Sequence, residues 1–182
     1  MKRVLIGALI ASLAMFFWGF LFWGVSTVWT QYLRPVPDQA GLAKELLESI
    51  PESGSYLVPT QKAGESMEDF TKRHVAGPLA QITFVREGTN PAAPAGFAGG
   101  WLHMLVSAII LGLLLLQLPG PTTFGSRFCI LALAGTAAAV WCNLGKPFWW
   151  HQPWSYHVLY AVYDLTSLLL GAVILAWYVK RT

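Results

Sequence analysis

Apolar residues dominate four long stretches of the chain, and most charged residues lie between the first stretch and the second. The four stretches are residues 4–30, 99–118, 127–144 and 156–179. Each approaches or exceeds the about 20 apolar residues that cross the hydrocarbon core of a bilayer as a helix. The pattern therefore predicts four transmembrane helices, and it separates residues 31–98 as a more polar segment.

The polar segment carries the local signals of an ordered module. Asp38 and Ser66 are suited to cap the first turns of two amphipathic helices. Two further stretches of the segment are rich in the β-branched and aromatic residues that favour strands. We expect helices at residues 38–50 and 66–75, and strands at residues 55–59 and 79–86 that pair antiparallel. The predicted fold is a mainly α membrane protein: a four-helix transmembrane bundle with a small α/β extracytoplasmic module inserted between helices 1 and 2.

Composition supports a membrane protein and excludes some partners. Of 182 residues, 55% are hydrophobic and only 12% are charged, which is too apolar for an ordinary soluble domain. The net charge is +3, but the basic residues are scattered and do not form the aromatic-interleaved cluster of a nucleic-acid groove. We therefore expect contacts with membrane lipid and with a protein partner or a larger membrane complex, and no nucleic acid.

Basic residues near the ends of the apolar stretches predict the topology. They are Lys2, Arg3, Arg127, Lys180 and Arg181. By the positive-inside rule, both termini and the turn before residue 127 are cytoplasmic, so residues 31–98 are periplasmic in a bacterial inner membrane. The first apolar run is longer than the core of a signal peptide and lacks a convincing cleavage site after it, so we interpret it as a retained helix.

Asp164 is the only acidic residue outside 31–98, and it lies within the fourth predicted helix. An ionisable group at that depth is costly and usually faces a protein interior. Helical periodicity aligns the polar residues of each span on one face, and Cys129, Thr136 and Asn143 form such a stripe on the third span. We predict a polar bundle core of these members: Asp164, Tyr160, Ser107, Thr136 and Asn143.

Two roles for Asp164 stay open at this point. It is either a structural node between helices or a carboxylate that carries protons or binds a ligand. Ser107, Thr136 and His103 are the partners that we expect across the bundle, with His157 as a further candidate. All eleven prolines lie outside the predicted spans, so the discontinuous helices of many transporters are not predicted.

Histidines near the outer surface raise a metal or haem hypothesis. His103, His157 and Asp164 form a candidate ligand set for a transition metal, and the two histidines could instead hold one haem. The spacing matches no established metal motif. Cys129 and Cys142 are separated by about 20 Å of helical rise, so they cannot form a disulfide with each other.

No catalytic motif is present in the sequence, and no catalytic residue is assigned. The leading hypothesis is a non-enzymatic inner-membrane protein, an accessory or scaffold subunit that presents its periplasmic module to a protein or lipid partner. The alternatives are a metal- or haem-binding redox protein and a proton-linked transporter or channel centred on Asp164. Six tryptophans are expected to form an interfacial belt at the outer boundary: Trp29, Trp101, Trp141, Trp149, Trp150 and Trp154.

Overall fold

The computed structural model describes residues 1–120 and 123–180, so the topology argument from Arg181 falls outside the described residues. The chain divides into two compact units. The first is a helical unit of Met1–Arg34 and Ala92–Thr182, and the second is a module of Pro35–Pro91. The helices are α1 (Lys2–Gly19), α2 (Gln39–Ser49), α3 (Met67–Ala76), α4 (Pro94–Gln117), α5 (Phe124–Leu144), α6 (Lys146–Trp150) and α7 (Trp154–Tyr178), and the strands are β1 (Gly54–Val58) and β2 (Ala80–Phe84).

Four helical segments of the described chain are long and apolar enough to cross a membrane, as many as the sequence predicts. They are Lys2–Val25, Pro94–Gln117, Phe124–Trp150 and Trp154–Tyr178. The second span starts five residues earlier than residue 99, because Pro94 occupies the first turn of α4, where the missing N–H costs no hydrogen bond. Pro147 has the same place in α6, so both prolines are helical residues, contrary to the expectation that prolines stay outside the spans.

Neighbouring long helices run antiparallel, and close approaches at glycines show which helices pack. A Cβ on Gly7 of α1 would meet Tyr178 near the end of α7, and a Cβ on Gly112 of α4 would meet Val4. The Arg3 guanidinium donates to the carbonyl of Lys180 at 3.2 Å. The start of α1 and the end of α7 therefore lie at the same end of the helical unit.

The helix α5 packs against α7 along a line that repeats every four residues. The buried residues of α5 are Arg127, Leu131, Gly135, Ala139 and Asn143. Side chains spaced four residues apart form a ridge on a helix. In the most common class of helix packing, this ridge fits into a groove between two such ridges of the neighbouring helix. The four helices thus follow the order α4–α1–α7–α5, and α4 and α5 form no extensive contact with each other.

Arg127, which the sequence places at the turn between the second and third spans, lies on that row. It belongs to α5 and is only 4% exposed. Its Nε donates to the carbonyl of Ala176 at 2.8 Å, near the end of α7. A cation is stabilised at a helix C-terminus by the free carbonyls and the helix dipole, so this arginine also joins α5 to α7.

The first span changes its helical geometry near its end. Phe20–Val25 is a π-helix, and the Ser26 N–H donates to the carbonyl of Leu21 at 2.9 Å. A π-helical turn inserts an extra residue and rotates the side chains that follow it. Neither this turn nor the short helix α6 is predicted by the sequence pattern.

The module contains the predicted antiparallel pair of strands and both predicted helices. Tyr56 of β1 lies opposite Ile82 of β2 in the register. The Asp38 carboxylate accepts from the N–H of Gly41 at 2.8 Å, and the Ser66 hydroxyl accepts from the N–H of Asp69 at 3.1 Å. These two caps fix where α2 and α3 begin.

Polar contacts, rather than a packed core, hold the module together. Of residues 35–91, all of which the structure describes, only Ile50 is buried. Arg86 donates to the carbonyls of Leu47 and Ile50, at 3.0 and 2.8 Å. Arg73 forms a bidentate pair with Glu65, at 2.8 and 2.7 Å. Two arginines therefore connect the helices and loops of the module.

Candidate functional site

A groove opens in the helical unit between α4 and α5, where these helices do not pack together. Its volume is about 380 Å³. The walls are Met15 of α1; His103, Met104, Ser107, Ile110 and Leu111 of α4; Ala134, Gly135, Ala138, Ala139 and Cys142 of α5; and Tyr163, Asp164, Ser167 and Leu168 of α7. Most of these side chains are apolar or small, and Asp164 is the only acidic one. We call this feature the Asp164 groove.

Asp164 lies about 15 Å along α7 from its first residue, Trp154, at the rise of an α-helix. Its carboxylate Oδ2 accepts a hydrogen bond of 2.7 Å from Nδ2 of Asn143 on α5. The same Nδ2 also donates to the carbonyl of Ala139 at 3.0 Å. The Asn143 amide group thus donates one hydrogen to the backbone of α5 and the other to the carboxylate on α7, which fixes the orientation of the side chain.

The partner of Asp164 differs from the partners that we expected. Ser107 donates instead to the carbonyl of His103 in its own helix, at 2.9 Å, and Thr136 donates to the carbonyl of Ala132 at 2.7 Å. A serine or threonine hydroxyl in a helix can donate its hydrogen bond to the carbonyl of the preceding turn, so it does not need a partner on another helix. An asparagine amide has two N–H donors and can serve both helices.

The other members of the predicted polar core have different places. Thr136 is exposed, as is Cys129, so the predicted stripe of α5 faces inward only at Asn143. Tyr160 lies away from the groove lining and packs its ring on Trp23, with ring centres 4.7 Å apart. The structure therefore joins Asn143 and Asp164 directly, places Ser107 on the same groove, and leaves Thr136 and Tyr160 outside the lining.

The histidine on α4 has a defined tautomer when its ring is neutral. Nδ1 of His103 lies 2.7 Å from the carbonyl of Gly100. A carbonyl oxygen only accepts hydrogen bonds, so Nδ1 must carry a hydrogen, and the neutral ring then has an unprotonated Nε2. In its neutral form His103, a residue of the groove lining, therefore has an acceptor nitrogen, Nε2.

The second candidate metal ligand has another partner. His157 is buried, and its Nε2 bonds the side-chain oxygen of Gln152. In the part of the chain that the structure describes, no group of three or more His, Cys, Asp or Glu side chains is placed to hold a metal ion. His103, His157 and Asp164 are accordingly not gathered into such a group, whereas haem binding stays a prediction.

Aromatic side chains join the first span to α7 next to Tyr163, which lines the groove. The Trp18 indole donates to the Thr166 hydroxyl of α7 at 3.0 Å. The rings of Phe22 and Tyr163 lie 5.2 Å apart, and a Cβ on Gly19 would lie only 2.8 Å from the Tyr163 hydroxyl. Tyr163 is a groove residue that the sequence pattern does not single out, since it lies about 100° around the helix from Asp164. The one feature of the sequence that indicates Tyr163 is its position next to Asp164.

The tryptophans of the expected belt are divided between the surface and the interior. Trp141, Trp149, Trp150 and Trp154 are exposed, as interfacial anchors would be. Trp101 is instead half-buried, and its indole donates to the Ser12 hydroxyl of α1 at 3.2 Å. Because α4 begins earlier than predicted, this tryptophan lies deeper along the helix and packs between helices.

The fold and the groove define a class: a multi-pass helical membrane protein with one carboxylate in an apolar groove between its helices. Comparison with protein-family models, with curated proteins and with solved structures finds no match to this chain. Its function must therefore be inferred from its own residues. The hypothesis of proton-linked transport centred on Asp164 stays a prediction.

Proposed function

We propose that this protein is a non-enzymatic subunit of a bacterial inner membrane, an accessory or scaffold protein that presents its module, residues 35–91, to a protein partner. The four long helices form the membrane bundle in this proposal. Both termini are cytoplasmic and the module is periplasmic. The observation that carries the proposal is the module's lack of a packed core.

A module of this size normally needs a hydrophobic core, a metal, a disulfide or a partner to be stable. Ile50 is the one buried residue among residues 35–91, and it is 7% exposed. The same stretch exposes several large apolar side chains: Leu42, Leu47, Leu57, Val58, Met67, Val75, Leu79 and Val85. Burial of such surface by a partner would supply free energy that the module alone does not gain.

The helix α3 presents the most exposed part of this surface. Met67 is 64% exposed and Val75 is 80% exposed, and they lie two turns apart on one side of the helix with Thr71 between them. A shallow depression of about 520 Å³ follows this side. An apolar helix face of this kind fits a complementary protein surface.

Charge favours a protein over an anionic lipid surface as the partner. Residues 35–91 contain five Lys or Arg against eight Asp or Glu, so the module is net negative. Beside the exposed face, Lys72 is already paired with Glu68 at 2.7 Å. Binding to anionic lipid headgroups depends on clusters of basic residues, and these residues do not supply one.

Site-specific photo-crosslinking of the full chain in native membranes tests the proposal. A photoreactive residue at Met67 or Val75 should give a protein adduct of discrete mass. The matched control is the same residue at Lys44, which is exposed on α2. Val75→Asp should weaken the adduct formed from position 67, because a charge in an apolar interface is costly.

Adducts with lipid alone, or equal adducts from positions 67, 75 and 44, would contradict docking on α3. The topology is tested separately with Lys44→Cys in a chain whose Cys129 and Cys142 are replaced by serine. A membrane-impermeant thiol reagent added to spheroplasts should label this variant, and labelling only after lysis would reverse the proposed orientation.

A further inference from the structure

The Asp164 groove has the size and composition of a ligand site, which the proposed docking function of the module does not use. Its volume of about 380 Å³ lies within the roughly 300–1,000 Å³ typical of small-molecule pockets. Apolar side chains such as Ile110, Leu111 and Leu168 form most of its walls, and the polar side chains are few. A ligand that fits this lining has an apolar body and one polar group.

The charge of the groove points to the sign of that polar group. Asp164 is the only acidic residue in the lining, and no Lys or Arg is part of it. All ion pairs found among the described residues belong to the module, so none of them neutralises Asp164. A carboxylate with apolar neighbours is stabilised by a cation, and the faces of tyrosines such as Tyr163 also attract cations.

The hydrogen-bonding groups point to a donor. One oxygen of Asp164 accepts from Asn143, which leaves the other oxygen able to accept from a ligand. Neutral His103 has an unprotonated Nε2, because its Nδ1 donates to the carbonyl of Gly100. The Ser107 hydroxyl donates its hydrogen to the carbonyl of His103, so its oxygen has lone pairs that can accept from a ligand. Three polar side chains of the groove therefore present acceptors.

We infer that the Asp164 groove binds an organic ammonium ion that carries N–H donors on an apolar body. The ammonium group pairs with Asp164, and its remaining hydrogens are available to His103 and Ser107. The apolar body lies along the small residues of α5, where Ala134 and Ala138 leave space. An aminophospholipid headgroup and a free lipophilic amine share this chemistry.

Equilibrium binding of radiolabelled dodecylamine tests the inference, with the full chain in nanodiscs of phosphatidylcholine, which has no N–H donor. The wild-type protein should bind the amine saturably above the background of empty nanodiscs. Asp164→Asn should weaken this binding about tenfold or more, since it removes a charge-assisted hydrogen bond. Dodecanol should not compete, and dodecyltrimethylammonium should compete poorly because it is charged but donates no hydrogen bond.

A second variant keeps the test valid if Asp164→Asn folds poorly. Ala138→Leu fills the groove from an exposed position, and Ala137→Leu adds the same bulk at the neighbouring exposed residue, which does not line the groove. Ala138→Leu should abolish amine binding, and Ala137→Leu should retain it. Equal binding by these two variants, or unchanged binding by a folded Asp164→Asn, would overturn the inference, as would equal competition by dodecanol.

Native mass spectrometry distinguishes the two sources of the ammonium group. Protein released from nanodiscs that contain phosphatidylethanolamine and phosphatidylcholine should retain the first lipid selectively if a headgroup fills the groove, and dodecylamine should displace it. Binding of dodecylamine without selective lipid retention assigns the groove to free amines. Absence of both kinds of binding refutes the site and leaves the crosslinking test of α3 unaffected.

Discussion

Replacing Asn143 with alanine should destabilise the helical unit, because Asn143 joins α5 to the one carboxylate of the groove. Asn143 is 5% exposed, and its Nδ2 lies 2.7 Å from Oδ2 of Asp164. A hydrogen bond to a charged group contributes about 1.5–3 kcal/mol in water-soluble proteins. Interhelical hydrogen bonds in membrane proteins average only about 0.6 kcal/mol, with a maximum of about 1.7 kcal/mol.

The geometry of the groove decides between these magnitudes. Asp164 is only half-buried, so solvent or a ligand can replace part of what Asn143 donates. The short distance and the negative acceptor place the bond at the strong end of the membrane range. We therefore expect a coupling free energy between the two side chains of about 1–1.5 kcal/mol.

A double-mutant cycle measures this coupling. The variants are Asn143→Ala, Asp164→Ala and both together, and the free energy of unfolding is measured in mixed micelles by titration with a denaturing detergent. Thr136→Ala is the matched control, since Thr136 lies two turns earlier on α5, is exposed, and bonds only its own helix at Ala132. It should change the free energy of unfolding by less than about 0.5 kcal/mol.

Two results would refute the reasoning. A coupling below about 0.3 kcal/mol would mean that the hydrogen bond does not hold the helices together. A Thr136→Ala effect as large as that of Asn143→Ala would mean that the seven-residue stripe of α5, rather than Asn143 alone, faces the interior.

Two further predictions concern the packing of the helices and the module. Gly112→Ala should destabilise the helical unit by about 1–3 kcal/mol in the same assay, because the added Cβ would lie 2.8 Å from Cγ1 of buried Val4. Gly125→Ala is the control and should be nearly neutral, because the space around Gly125 is open. Equal effects of the two substitutions would contradict the close contact. The Arg73 guanidinium lowers the pKa of Glu65 from 4.5 to about 2, so this pair should stabilise the module fully above about pH 4.5 and lose its effect as the pH falls toward 2. As the pH falls over that interval, the rate at which pepsin cleaves residues 35–91 of the wild-type chain should rise relative to the rate for Glu65→Gln at the same pH. A ratio of these two rates that stays constant with pH would refute the assignment.

Local signals in the sequence sufficed for the elements of the module. The caps at Asp38 and Ser66 are made by side chains and backbone groups three residues away, so a short stretch of sequence contains both partners. The strands are also bounded by nearby turn residues, and the β1–β2 register follows. The unpredicted π-helix at Phe20–Val25 has no such local partner, and we find no sequence signal for it.

The polar face of α5 could not be predicted from a seven-residue period. That period assumes a helix whose buried face runs straight along its axis, as in a supercoiled bundle. The buried residues of α5 instead recur every four positions from Arg127 to Asn143, as expected of a four-residue ridge that packs into a groove of α7. A four-residue row rotates by about 40° at each step, so it includes Arg127 and Asn143 and excludes Cys129 and Thr136.

Most of the residues that α5 contributes to the groove wall are small. Gly135 lies on the row, and a Cβ added to it would lie only 3.0 Å from Cβ of Leu168 on α7. The adjacent Ala134 and Ala138 are too short to reach α4, so the space beside Asp164 stays open. Small residues on α5 thus permit close packing on α7 and leave room for a ligand at Asp164, and a larger residue at 138 should close the groove without disturbing the row.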